Sequence, residues 1–344
     1  MNLHSALPAV TNPAATSDAG SLLRSSSTDV DEHCASLGPW RLNYDQISPG
    51  AFHGSFTQLS LPRLDVFREV TSQQVRQYGR LGSHSFGIGL PWLARGDVNF
   101  NGSCVAGNKV IACFDADVDM CTPRAFEFRG VIMNIALIEE IMASLRIDLP
   151  RGIWHTLQAI EMAQGPVDRL RHLLTAIHDT IEREPSTFDD PAICRGIEDS
   201  LLIEIADMLP TARASDDVRG GAARKRIVDR ACEMMLSQLD DAPMSMLEVC
   251  KEVGASRRKL NYCFQEVLGA SPVSYLRAVR LNSVRRELKR WQGDRPPGIY
   301  DIAVRYGFWH FSQFSLDYKR HFAELPSQTL RRAASTRRSA GAAL

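Results

Sequence analysis

Arg257, Arg258, Asn261 and Tyr262 are spaced so that a helix would carry them on one face. The donor fork of arginine matches the O6 and N7 acceptors of guanine, and asparagine pairs with N6 and N7 of adenine. This face therefore has the chemistry to hydrogen-bond base edges in a DNA major groove. Base contacts come mainly from the N-terminal half of a reading helix, which selects Arg258, Asn261 and Tyr262 for bases and leaves Arg257 for phosphate. A second polar set follows at His310, Ser312, Gln313, Leu316, Lys319 and Arg320. There Gln313 suits an adenine edge and Leu316 a thymine methyl. Trp309, Phe311 and Phe314, interleaved with that set, read as core.

Other constellations carry less. Asp115, Asp117 and Asp119 alternate like the start of a calcium loop, but Met120 stands where the turn needs glycine and Phe126 where the bidentate glutamate belongs. They read as a solvated acidic turn. His172 and His178 do not share a helix face, and no H-E-x-x-H occurs, so zinc has no ligand set. Gly87-Ile88-Gly89 lacks the remainder of a dinucleotide fingerprint. His53 and His84 are candidate effector contacts, although satisfied or exposed histidines account for them as well. No catalytic residues, metal or cofactor are assigned, and the effector-binding residues stay open.

The two polar sets must be held by helices, and a short pattern occurs twice around them. S-M-L-E-V-C-K-E-V-G-A-S-R-R-K-L-N-Y-C-F covers Ser245–Phe264, and I-Y-D-I-A-V-R-Y-G-F-W-H-F-S-Q-F-S-L-D-Y covers Ile299–Tyr318. In each, a short amphipathic helix ends at a glycine (Gly254, Gly307) and a second helix follows, which is how a helix-turn-helix looks in sequence. Ser245 and Glu248 make a capping box, and Ser256 caps the next helix. Leu247, Val249, Cys250 and Val253 supply the first helix's apolar stripe, with Leu260, Cys263, Phe264 and Val267 on the second. Ile302, Ala303, Phe308, Phe314, Tyr318 and Phe322 are the matching core of the second copy. Between the copies, Ser271 and Pro272 open a long helix with an apolar face (Leu276, Val279, Leu281, Val284, Leu288). Its other face is basic, with Arg277, Arg280, Arg285, Arg286, Lys289 and Arg290. Such a helix would fix the spacing of the two units, and successive major grooves on one face of B-DNA lie about 34 Å apart.

The formal net charge of zero is a sum of opposites. Residues 1–221 hold 18 Lys and Arg against 28 Asp and Glu, a net of −10, whereas residues 222–344 hold 22 against 12, a net of +10. A basic C-terminal segment suits a polyanionic partner. The eight cysteines (34, 104, 113, 121, 194, 232, 250, 263) form no C-x-x-C pair and read as free thiols of a cytoplasmic protein. The longest apolar run is too short for a bilayer, and the N-terminus lacks the pattern of a signal peptide.

The expected class is α+β: an N-terminal sensor like a β-barrel or sandwich with added helices, and an all-α C-terminal domain with two helix-turn-helix units. Residues 1–38 read as a disordered tail. Residues 39–209 read as the sensing and dimerisation domain, with β-like runs at Phe52–Leu61, Leu64–Val70, Ser85–Leu90 and Lys109–Phe114. Two helices follow, one with the stripe Val167, Leu170, Leu173, Leu174, Ile177 and Ile181, the other with Ile193, Ile197, Leu201, Ile205 and Met208. Residues 210–223 read as a linker, 224–335 as the DNA-binding domain and 336–344 as a flexible tail.

On these motifs, residues 240–332 resemble the DNA-binding domain of the arabinose-regulator (AraC/XylS) family. The matching stretches are S-R-R-K-L, F-Q-E-V-L-G-A-S-P-V-S-Y-L-R-A-V-R-L-N and D-I-A-V-R-Y-G-F-W-H-F-S-Q-F-S-L-D-Y-K-R-H-F-A-E-L-P-S. The resemblance implies a seven-helix fold with two reading helices, transcription activation as the commoner role, and contact with RNA polymerase. The segments Tyr44–Phe56 and Val66–Glu69 are similar to the ethanolamine-operon regulator subgroup, which implies ethanolamine and adenosylcobalamin as effectors. The expected protein is a homodimeric, effector-responsive regulator of a metabolic or virulence gene set and not an enzyme. Two alternatives fit the same residues: a DNA-bound regulator controlled by a partner protein, and a β-barrel enzyme with an appended nucleic-acid-binding domain.

Overall fold

The computed structural model describes residues 18–38, 40–82, 84–106, 109–114, 117–147, 159–214, 218–237, 245–291 and 298–341. Two antiparallel sheets build the N-terminal part. Strands β1 (Ser21–Ser27), β3 (Gly54–Ser60), β4 (Leu64–Thr71), β6 (Ser85–Leu93), β9 (Lys109–Phe114), β11 (Phe126–Asn134), β12 (Ala159–Glu161) and β13 (Arg213–Ala214) make the larger, in the order β1-β3-β4-β11-β6-β9-β12-β13. Strands β2 (Arg41–Gln46), β5 (Val75–Arg80), β7 (Val98–Phe100), β8 (Ser103–Val105) and β10 (Asp117–Cys121) make the smaller, in the order β2-β5-β10-β7-β8. The two-residue period of the strands sends alternate side chains to two cores. Along β9, Ile111 and Cys113 face the smaller sheet while Val110 and Ala112 face the helices; Phe126, Phe128 and Ile132 against Val131 and Met133 divide β11 the same way. The outcome is a sandwich of two separate sheets with a helical third layer, and no closed barrel forms.

The third layer is α2 (Ile135–Leu145), α3 (Gln164–Arg183) and α4 (Pro191–Met208). Val167, Leu170, Leu174, Ile177 and Ile181 of α3 are buried as their spacing predicts. In α4 the stripe starts later than expected: Ile193 is 40% exposed, and Cys194 and Leu202 join Leu201, Ile205 and Met208 in the core. Gly87-Ile88-Gly89 serves packing. Gly89 pairs with Gly130 across β6 and β11, and a Cβ at Gly89 would meet the Phe128 ring at 2.1 Å, while one at Gly130 would meet the Ile88 carbonyl at 2.3 Å.

Two boundaries differ from the sequence reading. Residues 18–38, assigned to a tail, hold edge strand β1, paired along its length with β3, and a short helix α1 (Val30–Ala35) capped by Asp29. Serine-rich β1 gave no apolar signal because its outer face stays solvated. Residues 210–223, assigned to a linker, include β13 and the start of helix α5 (Val218–Ser237). The stretch 1–17 lies outside the described residues. Among those described, no helix is long and apolar enough to cross a membrane.

The C-terminal part is helical: α5, α6 (Met246–Glu252), α7 (Arg257–Leu268), α8 (Pro272–Arg290), α9 (Ile299–Arg305), α10 (Phe311–Phe322) and α11 (Pro326–Gly341). Helix α8 is its spine. Tyr275, Leu276, Ala278 and Val279 close a first core with Leu260, Cys263, Phe264 and Val267, whereas Leu281, Val284 and Leu288 close a second with Ile302, Phe314, Tyr318 and Phe322.

Candidate nucleic-acid interface

Each half of the C-terminal part is a helix, a tight turn and a second helix, and the local chemistry explains the geometry. The Ser245 hydroxyl accepts from the Glu248 N–H at 3.3 Å, and the Glu248 carboxylate accepts from the Ser245 N–H at 2.7 Å, completing the capping box of α6. Gly254 then takes φ +64° and Gly307, its counterpart after α9, φ +79°, left-handed values that glycine adopts without strain. Ser256 caps α7 through the Lys259 N–H at 3.2 Å, and Ser271 caps α8 with Pro272 in the first turn.

With the cores turned inward, Arg257, Arg258, Asn261 and Tyr262 lie exposed on α7, and His310, Ser312, Gln313, Leu316, Lys319 and Arg320 lie exposed at the start of α10 and along it. Tyr262 is 54% and Leu316 63% exposed. Leu247, expected in the α6 core stripe, is 65% exposed, since so short a helix buries little beyond Val249. Trp309 and Phe311, expected in the core, are also exposed, and Phe314 alone of those three rings is buried.

Three of the six cations on the basic face of α8 are engaged with the sheet domain. Arg285 places Nε and Nη2 at 3.0 and 2.9 Å from Asp29, Arg286 reaches Asp31 and Asp45 at 2.8 Å each, and Lys289 reaches Asp29 at 2.6 Å. Burial opposes the charge on Asp29, but Arg285 and Lys289 outweigh it and hold its carboxyl at about 2. Thus part of the C-terminal excess of positive charge is neutralised by the acidic half of the same chain. Asp119, read as part of a solvated acidic turn, takes part as well. It receives Arg76 through two hydrogen bonds and Lys225 at 2.8 Å, and these cations outweigh its burial and hold it at about 2. Arg76 also donates to the Tyr275 hydroxyl at the start of α8.

The second helix of each unit is pinned at its C-terminal end by the sheet domain. For α7, the Leu268 carbonyl accepts from Gln74 Nε2 at 2.8 Å and from Cys121 Sγ at 3.1 Å, and the Glu266 carbonyl accepts from Asn99 Nδ2 at 2.8 Å. For α10, the His321 carbonyl accepts from Gln46 Nε2 at 2.8 Å and the Gly50 N–H at 3.0 Å. Between them Asn282 of α8 grips the Gln46 backbone, accepting its N–H at 3.3 Å and donating to its carbonyl at 2.9 Å. These bonds satisfy carbonyls that helix ends leave orphaned. They also tie both helices to one platform and leave exposed the N-terminal half of α7 and, along α10, the face that runs from Ser312 to Arg320.

Asp317, overlooked in the sequence, organises the second set. It is 2% exposed, pairs with Arg277 of α8, and accepts from Gln313 Nε2 at 3.1 Å and Arg320 Nη2 at 3.0 Å. Its spacing from Gln313 and Arg320 (i−4 and i+3) was the available signal. His53 and His84 are both exposed, the first in the segment just before β3 and the second in the turn before β6, and neither lines the cavity between the two sheets.

Acidification should loosen this docking in two stages. Burial pushes His321 down to about 4, and Arg285 and Arg320 add to that effect against the bond to the Gln46 carbonyl; burial likewise pushes His178 to about 4, helped by Arg129 and Arg68. With folded values below 6.5, both histidines stabilise the fold fully above that pH and lose the contribution as pH falls toward 4. Asp29 and Asp119 lose theirs only between 3.8 and about 2. Thermal midpoints measured from pH 7 to 2 should therefore fall first between pH 6.5 and 4, and His321→Gln should shrink that first step. A midpoint level down to pH 4 would contradict the assignment.

Taken together, the described chain joins a sheet domain to two helix-turn-helix units with exposed polar faces. Residues 249–332 match the family model described as a helix-turn-helix domain. The chain is 36% identical over 89 residues to the probable thc operon regulatory protein of Rhodococcus erythropolis, which covers 26% of each chain. It is 31% identical over 119 residues to the regulatory protein HrpB of Ralstonia nicotianae, covering 35% of this chain and 24% of that one. It is 38% identical over 76 residues to the XylDLEGF operon transcriptional activator of Pseudomonas putida, covering 22% and 23%. The matches thus span about a quarter of these relatives' length. Among solved structures, an AraC-type regulator from Chromobacterium violaceum aligns at 29% identity over 33% of this chain and 96% of its own, with a TM-score of 0.29. The chain carries an AraC/XylS-type helix-turn-helix domain.

Proposed function

We propose that this protein is a sequence-specific DNA-binding transcriptional regulator in which the sheet domain senses a small molecule and the two helix-turn-helix units read the operator. The observation that carries the reading is the pair of helices α7 and α10, both pinned at their C-terminal carbonyls to one platform with the exposed sets Arg257, Arg258, Asn261, Tyr262 and His310, Ser312, Gln313, Leu316, Lys319 directed outward. Arg258, Asn261 and Tyr262 read bases, Arg257 and Lys319 hold phosphate, and Gln313 with Leu316 contributes to the second half-site. The reading places the protein in the cytoplasm as a homodimer that works with RNA polymerase, and gives it a binding role without turnover of its own.

Sensing is supported by an apolar cavity of about 50 Å³ between the two sheets, lined by Trp40, Phe67, Ile88, Phe100 and Phe128 with Glu69 and Gln77 as polar groups. Glu69 accepts from the Tyr44 hydroxyl at 2.9 Å and pairs with His33 at 2.9 Å. That volume has room for a few waters or a very small ligand. Of the effectors implied by the subgroup resemblance, ethanolamine matches this scale, with Glu69 to receive its ammonium; adenosylcobalamin is far too large for it. An effector acts by its differential affinity for the docked and undocked arrangements of the reading units. Selection of duplexes from a random pool by the full chain, followed by gel-shift at rising salt, tests the reading. An enriched sequence with salt-dependent affinity is expected, and equal affinity for every duplex would refute it.

A further inference from the structure

The second helix-turn-helix unit displays a group of large apolar side chains that its fold does not use. Tyr300 is 51% exposed, Trp309 58%, Phe311 42% and Leu316 63%. The Tyr300 ring meets Phe311 edge-on with centroids 5.9 Å apart, and Phe311 in turn lies 6.0 Å from the buried Phe314, so the exposed rings stand on a fixed base. Trp309 directly precedes His310, the cap residue of α10, and Phe311 is the first residue of that helix. Trp309 and Phe311 therefore sit at the N-terminal end of α10, with Phe311 about 15 Å along the helix from the His321 carbonyl that the sheet domain holds, and Leu316 lies near mid-helix. That is the same disposition as Arg257, Arg258, Asn261 and Tyr262 on α7, whose far end is held in the same way.

In a duplex major groove the apolar feature that distinguishes one base pair from another is the thymine methyl. We propose that Trp309, Phe311 and Leu316 form a thymine-methyl reader, so that the second unit recognises T-bearing steps by apolar contact where the first recognises bases by hydrogen bonds. Tyr300 acts as a positioning residue that braces Phe311. The inference rests on the DNA-reading function proposed above and gives the second half-site its chemical class.

The test uses the full chain and the duplex it enriches from a random pool, with each thymine replaced in turn by deoxyuridine. That exchange removes the methyl and keeps the pairing edge. Within the half-site covered by the second unit, each contacted methyl should be worth about fourfold in affinity. Trp309→Ala, Phe311→Ala and Leu316→Ala should each abolish the uracil penalty at the thymine it covers. Preference in the first half-site should persist in all three, which shows that they remain folded. The inference is overturned if uracil substitution changes nothing under the second unit, or if the penalties survive all three variants. It is equally overturned if the variants keep the penalties but lose transcription activation, which would assign the aromatic group to a protein partner. Absence of any enriched duplex would remove the DNA-reading function along with it, and is recognised because preference in the first half-site is then missing too.

Discussion

Asp29→Ala is expected to lower the stability of the full chain by about 3–5 kcal/mol, the cost of removing one partner from a buried charge cluster. Asp29 is 2% exposed and Arg285 5%, and Lys289 stands 2.6 Å from the same carboxyl. Without Asp29, Arg285 retains Glu324 at 2.6 Å, and Lys289 retains Asp31 at 3.6 Å. Two cations would then share weaker compensation, Arg285 in a buried position and Lys289 in a partly exposed one. The same carboxyl caps α1 by accepting the Asp31 and Glu32 N–H groups at 2.9 and 3.0 Å, and that cap accounts for about 1 kcal/mol of the total. Asp29→Asn keeps a capping side chain and removes the charge, so it separates the two contributions and should lose less. Denaturant unfolding measures both. A loss below about 1 kcal/mol for Asp29→Ala would mean that the cluster is solvated and the two domains are only loosely joined.

The second large effect is expected in DNA selectivity. Arg258→Ala should relax discrimination at one base position by about 1–3 kcal/mol while leaving the preference at other positions intact. Lys319→Ala should weaken every duplex alike and reduce the salt dependence by about one phosphate contact. Competition binding of the two variants against single-position duplex libraries reads both outcomes. Identical behaviour would show that the division between base reading and phosphate contact is wrong.

Much of this arrangement is legible in the residues because the causes are local. Ser245 with Glu248, Ser256, Ser271 with Pro272, and the glycines 254 and 307 each fix a helix end by short-range chemistry, and all of them act as their types dictate. The apolar positions of α3, α7 and α8 follow the helical period. What escaped depends on distant partners. The basic face of α8 is locally indistinguishable from a phosphate-binding face, and only the placement of Asp29, Asp31 and Asp45 shows where Arg285, Arg286 and Lys289 are engaged. Likewise β1 has little apolar content, and its strand conformation comes from pairing with β3 more than thirty residues later. Trp309 and Phe311 illustrate a third limit. Large rings read as core by default, and their exposure is a property of the turn after α9 that no composition rule encodes.

One platform holds both α7 and α10 by their C-terminal carbonyls, so the two helices proposed to read DNA should keep a fixed separation. Hydroxyl-radical footprinting of the full chain on its enriched duplex tests this most directly. Two protected segments on one face of the DNA, centred about one helical turn apart, are predicted, with Arg258→Ala thinning the first and Leu316→Ala the second. A single protected segment, or two segments whose spacing varies from one duplex to another, would contradict it.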